Sequence, residues 1–167
     1  MKNMHSLCRI VCICLVVIAA GPLTGISRAS TKMPAFSLAN AVDGKNVDSK
    51  DFQGKALLVT FFATWCPPCM QEVATLVELQ QEFAKEGFSV IGLSVDQGGA
   101  AEVAQLVERQ AINYPVLMAD ADTAENFGGV FGIPISFLVN KSGNVVKSYT
   151  GLVSHAVLVK DVRSVIE

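Results

Sequence analysis

Ala56-Leu57-Leu58-Val59-Thr60-Phe61-Phe62-Ala63-Thr64-Trp65-Cys66-Pro67-Pro68-Cys69 is the stretch that decides the reading of this chain. Ala56 to Phe62 is a nearly continuous apolar run of β character, suited to a strand buried on both faces. After Cys66 the period changes. Met70, Val73, Ala74 and Val77, then Leu76, Leu79 and Phe83, recur at helical spacing, while Glu78, Gln81, Glu82, Lys85 and Glu86 supply a wet face. An amphipathic helix closed by Gly87 is expected. Two thiols therefore stand two residues apart where a buried strand gives way to a helix.

That placement has chemical consequences. Thiols so spaced close a small disulfide with little motion. Unpaired amides and the positive end of the helix favour the thiolate of Cys66, which is expected to be the solvent-facing sulfur. Its attack on a foreign disulfide gives a mixed disulfide, and Cys69, one turn in, resolves it. Pro67 and Pro68 stiffen the loop and remove amide donors that would otherwise reach the Cys66 sulfur. Other uses of the pair fit less well. Beyond residue 30 the chain has no further cysteine and only His155, too few ligands for a zinc site. A structural disulfide closing so short a loop constrains the unfolded chain little. Neither a metal nor a cofactor is expected.

Upstream, the first thirty residues read as a targeting segment. Lys2 and Arg9 form a basic start, Ile10 to Ala20 is uninterrupted apolar, and Gly21-Pro22 breaks it. Ser27-Arg28-Ala29 offers small residues for cleavage before Ser30. The competing reading is a retained membrane anchor over Ile10 to Ile26, at 17 residues short for a span and interrupted by Gly21, Pro22 and Thr24. Cleavage is favoured, with 1–29 as signal peptide or anchor and 35–167 as one domain. Contact with a membrane is expected only through that segment if it is uncleaved. Cys8, Cys12 and Cys14 are apolar filler within it, which leaves Cys66 and Cys69 alone in a compartment where disulfides persist. Past the segment lie ten basic and fifteen acidic residues, net −5, which gives no electrostatic case for binding nucleic acid.

Downstream, the pattern alternates. Phe36 to Val47 suggests a hairpin turning at Asp43-Gly44, followed by a loop through Asp51 to Lys55. Ser89 to Val95 is a second buried strand, and Ala100, Val103, Ala104 and Val107 mark a second helix. Tyr114 to Met118 reads as a short strand and Asp122 to Phe127 as a short helix. Ser136 to Val139 and Val145 to Thr150 are strands joined by a turn at Asn140 to Asn144. Ser154 stands as N-cap of a last helix bearing Leu158, Val162 and Val165. This order implies an α/β fold with a mixed central sheet, helices on both faces and an N-terminal β-hairpin extension, the thioredoxin arrangement. Pro134 stands just before an apolar strand, where a cis Ile133-Pro134 bond would expose the Ile133 backbone to an extended client.

Asp43-Gly44-Lys45, Phe52-Gln53-Gly54-Lys55, Leu58 to Cys69, Val90 to Asp96 and Gly132 to Gly143 together resemble the TlpA/ResA group of exported thioredoxin-like proteins, over essentially the whole chain past the leader. The resemblance implies a thiol:disulfide oxidoreductase, with Cys66 attacking, Cys69 resolving, Pro134 cis and Glu72 the acid kept close to the pair. It implies a reductant of disulfides in exported proteins, apocytochrome c among the candidates. It also implies a membrane thiol electron donor of DsbD/CcdA type and a location in the periplasm or at the extracytoplasmic face of the inner membrane. Trp65, Pro67, Ile133 and Pro134 are the expected substrate contacts. Two departures stand out. Ala74 replaces a proline that many relatives have two residues after the acid, and Ile135-Ser136 stands where cytochrome-maturation relatives often carry an acid.

Glu72 has two readings: a solvated residue of the first helical turns, or a part-buried acid with raised pKa that exchanges a proton with Cys69. Thr60, where cytoplasmic thioredoxins have a buried aspartate, cannot do that work. Trp65 reads as a cover for the disulfide or as core. His155 reads as a surface residue and Asp96 as a turn or helix cap. A peroxidase of peroxiredoxin type is the rival enzyme, but Ala63 and Val59 stand where its motif needs threonine and proline. A non-catalytic binding module presenting Ile133 and Trp65 is the other rival.

Overall fold

The computed structural model describes residues 31–167, so the proposed leader with Cys8, Cys12 and Cys14 lies outside the described residues. Everything is hung on two central strands, β4 (Ala56–Phe62) and β5 (Phe88–Ser94), every residue of which is buried. They pair in parallel from Ala56 opposite Phe88 to Phe62 opposite Ser94. On one side β6 (Val116–Met118) adds in parallel to β5. On the other, β7 (Ile135–Val139) and β8 (Asn144–Thr150) add antiparallel, so the sheet is mixed as expected. The sequence reading did not anticipate β1 (Thr31–Lys32), which pairs with the edge of β8 and completes the order β1-β8-β7-β4-β5-β6.

The helices follow from the strand order. β4, β5 and β6 are laid down in one direction across the sheet, and right-handed crossovers put the helices that join them on one face. These are α1 (Pro67–Phe83) and α2 (Ala100–Arg109). The C-terminal α4 (His155–Ile166) joins them there, so that Leu76, Leu79, Val103, Leu106, Leu158 and Val162 share one core. The opposite face is covered by less. Among the described residues, α3 (Ala121–Asn126), the hairpin of β2 (Ser37–Ala39) and β3 (Asn46–Asp48), and a 3-10 turn at Ser49–Phe52 lie over it, with Phe36 and Phe127 beside them. Phe61 is the centre of that second core, edge-on to Phe127 at 5.2 Å and to Phe137 at 6.2 Å between ring centroids.

Boundaries moved where local chemistry outvoted pattern. The 3-10 turn at Ser49–Phe52 runs into the start of the expected loop, Asp51 to Lys55, and Asp48 and Asp51 cap it reciprocally. α1 ends at Phe83 and runs through a 3-10 turn to Gly87, whose φ of +81° is the left-handed cap that ends the element. Its buried face is Cys69, Glu72, Val73, Leu76, Leu79 and Phe83, while Ala74 is exposed. Ser154 does stand at the N-cap of α4, but its side chain makes no capping hydrogen bond; only its carbonyl accepts, from Val157 and Leu158.

Candidate active site

The reactive end lies at the carboxyl ends of β4 and β5, which are side by side because the strands are parallel. Cys66 is the N-cap of α1, and Pro67 and Pro68 fill its first two helical positions, where an amide hydrogen has no intrahelical partner to lose. With both prolines mute, the first amide of the helix able to donate belongs to Cys69. It donates to Cys66 Sγ at 3.2 Å. The pair is joined as a disulfide with its Cα atoms 5.2 Å apart.

Neither sulfur-bearing residue is open to water: Cys66 is 4% exposed and Cys69 2%. The expectation that Cys66 faces solvent is therefore corrected. The reason is tertiary. The loop before β7 folds across the start of α1, and the carbonyl oxygen of Ile133 comes to 3.8 Å from Cys66 Sγ. The Ile133–Pro134 bond is cis, as expected; Pro134 is buried and Ile133 half-buried. Trp65 is 67% exposed, so it belongs to the surface beside the pair rather than to the core.

Glu72 is buried at 2% exposure, one turn beyond Cys69. The solvated alternative is thereby excluded. Burial pushes its carboxyl above the ordinary carboxylate range, opposed by the amide of Val153, which donates to Oε1 at 3.3 Å. Tyr114 lies in the same core, and its hydroxyl is pushed up by burial and then by the Glu72 charge. Thr60 is buried and accepts from the hydroxyl of Ser136 on β7, its register partner, so it acts as a cross-strand tie. His155 begins α4 half-exposed, its Nε2 3.6 Å from Glu78.

One residue that the sequence reading left as a cap does more. Asp96, just past β5, is 8% exposed, and its carboxylate accepts from the amide and hydroxyl of Thr64 and from the hydroxyl of Ser94. It holds the segment that leads from β4 into Cys66. Its signal was available: parallel neighbours end at the same edge, so an acid directly after β5 faces the loop directly after β4. Phe131 was missed too. It is 97% exposed and stands among Gly128, Gly129 and Gly132, a setting with no strand or helix period to bury it.

A family model described as Redoxin matches residues 28–166. Thiol-disulfide oxidoreductase ResA of Bacillus thuringiensis is 32% identical over 110 residues, 66% of this chain. The chain spans only 63% of the length of that relative. ResA of Bacillus subtilis is 27% identical over 125 residues, covering 75% of this chain and 69% of that one. Among solved structures, a thiol:disulfide interchange protein of the thioredoxin family from Chlorobium tepidum superposes with a TM-score of 0.77 at 37% identity, covering 83% of this chain and 97% of its own. The solution structure named as a putative thioredoxin from Neisseria meningitidis gives 0.69 at 28% identity, covering 81% of this chain and 90% of its own.

Proposed function

Since the chain belongs to the redoxin family, we propose that it is a thiol:disulfide oxidoreductase that reduces disulfides in exported proteins through Cys66 and Cys69. The observation that carries this reading is the disulfide at the N-terminus of α1, facing the Ile133 carbonyl beside a cis proline. The helix start stabilises a thiolate at Cys66 through its dipole and the Cys69 amide.

In the reducing direction, the Cys66 thiolate attacks one sulfur of a client disulfide. That bond breaks, one client thiolate leaves, and Cys66 is joined to the client. Cys69 then attacks Cys66 Sγ, its proton passing to Glu72 or to solvent; the second client thiolate leaves and the Cys66–Cys69 disulfide forms. Two electrons have passed to the client. Glu72 suits the proton step because burial raises its affinity for a proton while it stays within the helix that carries Cys69. Trp65, Pro67, Ile133 and Pro134 frame the approach of the client chain, which pairs with the Ile133 backbone.

Recharging needs a dithiol from elsewhere, because the chain holds no second cysteine pair past its leader. A membrane thiol donor of DsbD/CcdA type, with the protein in the periplasm or at the outer face of the inner membrane, fits the apolar N-terminal run. Apocytochrome c is one client of suitable chemistry, although Ile135-Ser136 after the cis proline departs from the relatives that serve it. The test is a trap. Cys69→Ser in cells should accumulate a client joined to Cys66 that reductant releases, and wild-type protein quenched by acid should be mainly dithiol. No adduct, together with a wild-type pool almost wholly disulfide while its donor system is intact, would remove the reductant reading.

A further inference from the structure

We propose that the cleft beside Cys66, between Trp65 and Phe131, is a specificity site for a bulky apolar side chain adjoining the reacting cysteine of a client segment that carries lysine or arginine. The proposal rests on the oxidoreductase reading above and names its substrate class.

The cleft measures about 460 Å³ and is walled by Val95, Ala119, Ala124 and Val130, with Ile133 at the end nearer the disulfide. Ile133 is also the residue whose carbonyl lies 3.8 Å from Cys66 Sγ, so the cleft opens within a residue's reach of the sulfur that attacks the client. Its two lips are the most solvent-exposed large aromatic residues described, Trp65 at 67% and Phe131 at 97%. Two such rings left in water around an apolar hollow are a surface that gains by being covered. Gly129, at φ +81°, lies against the Phe131 ring: a Cβ there would fall 2.7 Å from the ring's far edge and turn the exposed ring aside.

Charge around this hollow is of one sign. Asp96 and Asp120 line it. Asp120 caps α3, and the amide and hydroxyl of Thr123 hold its carboxyl below the usual range. Asp122 and Glu125 follow on α3, exposed. None of Asp120, Asp122 and Glu125 has a cationic partner among the described residues. Between residues 86 and 140 the one Lys or Arg is Arg109, at the C-terminal end of α2 and so at the far end of the sheet. Lys32, Lys50, Lys55 and Lys141 gather around a separate hollow at that far end, by the start of β4. The reactive end is thus apolar and negative, which favours a cationic client and disfavours an acidic one.

The test uses the full chain, reduced, with four synthetic peptides of one backbone, each bearing a cysteine capped as a thionitrobenzoate disulfide. Phe or Ala adjoins the cysteine, and the flanks are Lys or Glu. Attack by Cys66 on the peptide sulfur releases thionitrobenzoate, and each rate is divided by the same protein's rate with neutral hydroxyethyl disulfide. The Phe, Lys peptide should react at least about tenfold faster than the Ala, Glu peptide. High salt should shrink the Lys-over-Glu part alone. Phe131→Ala, and Gly129→Ala, which displaces the ring without deleting it, should bring the Phe-over-Ala ratio close to one. Asp120→Asn, which keeps the helix cap, combined with Asp122→Lys should abolish or reverse the Lys-over-Glu ratio. Equal rates for the four peptides, or ratios that survive these substitutions, overturn the cleft as a specificity site while hydroxyethyl disulfide is still consumed. Failure to consume hydroxyethyl disulfide, or consumption undiminished in Cys66→Ser, overturns the oxidoreductase reading instead.

Discussion

Replacing Glu72 by glutamine should flatten the pH dependence of folding stability in a direction that the structure dictates. The carboxyl is 2% exposed, receives a single long hydrogen bond from Val153, and has no cation at ion-pair distance among the described residues. Desolvation therefore outweighs that bond, and the folded-state pKa lies above the ordinary value of 4.5. Between those two values the folded protein binds more protons than the unfolded chain, so stability falls as pH rises. The contribution of the neutral acid is fully present below 4.5 and is lost as pH rises through the raised value. Each unit of displacement is worth about 1.4 kcal/mol, and the slope within the window approaches about 1.4 kcal/mol per pH unit. Glutamine keeps an acceptor for Val153 and does not titrate. If its extra N–H group stays unsatisfied it costs about 1–3 kcal/mol, but that offset is the same at every pH. The assay is urea unfolding of the oxidised proteins from about pH 4 to about pH 8, with the cysteines silent as a disulfide. Asp43, Asp120 and Asp161, whose pKa values are lowered, contribute the opposite slope equally to both proteins and cancel in the difference. Glu72→Gln should gain on wild type steadily as pH rises through the window. Parallel curves would refute the argument, and Glu72 would then have no claim on the proton of Cys69.

Three further outcomes are expected. In the reduced protein, alkylation rate against pH should show one early-titrating thiol with a pKa in the ~3.5–7.5 range of helix-start cysteines, retained in Cys69→Ser and lost in Cys66→Ser; the reverse pattern would exchange their roles. Asp96→Ala leaves the donors of Thr64 and Ser94 without their acceptor, so the urea midpoint should drop by the equivalent of about 1–3 kcal/mol and the thiol-exchange rate should fall with it, whereas an unchanged exchange rate would reduce Asp96 to a purely structural tie. Phe83→Ala empties a site 1% exposed and edge-on to Phe88 at 6.1 Å, and calorimetry should register a loss of about 3–5 kcal/mol without altering the pH profile of thiol reaction.

Pattern alone carried the parts of this molecule that depend on neighbours in the chain. Ala56–Phe62 reads as a central strand because every position must suit an apolar wall, and it is buried throughout. Cys66 and Cys69 declare their chemistry through a spacing that any helix start would honour, and Pro67-Pro68 marks that start in the sequence. Other features exist only because distant segments meet. Glu72 reads equally as a wet or a buried helix residue until Val153, 81 positions away, closes over it. Cys66 reads as exposed until the Ile133–Pro134 turn, 67 positions on, covers it. Asp96 reads as a cap because nothing local says that Thr64 will lie beside it, and the parallel pairing of β4 with β5 brings the two together. Periodicity records which side of an element is wet or dry, one element at a time. The contacts that tune a thiol are made between elements, and the strand order of the sheet decides those.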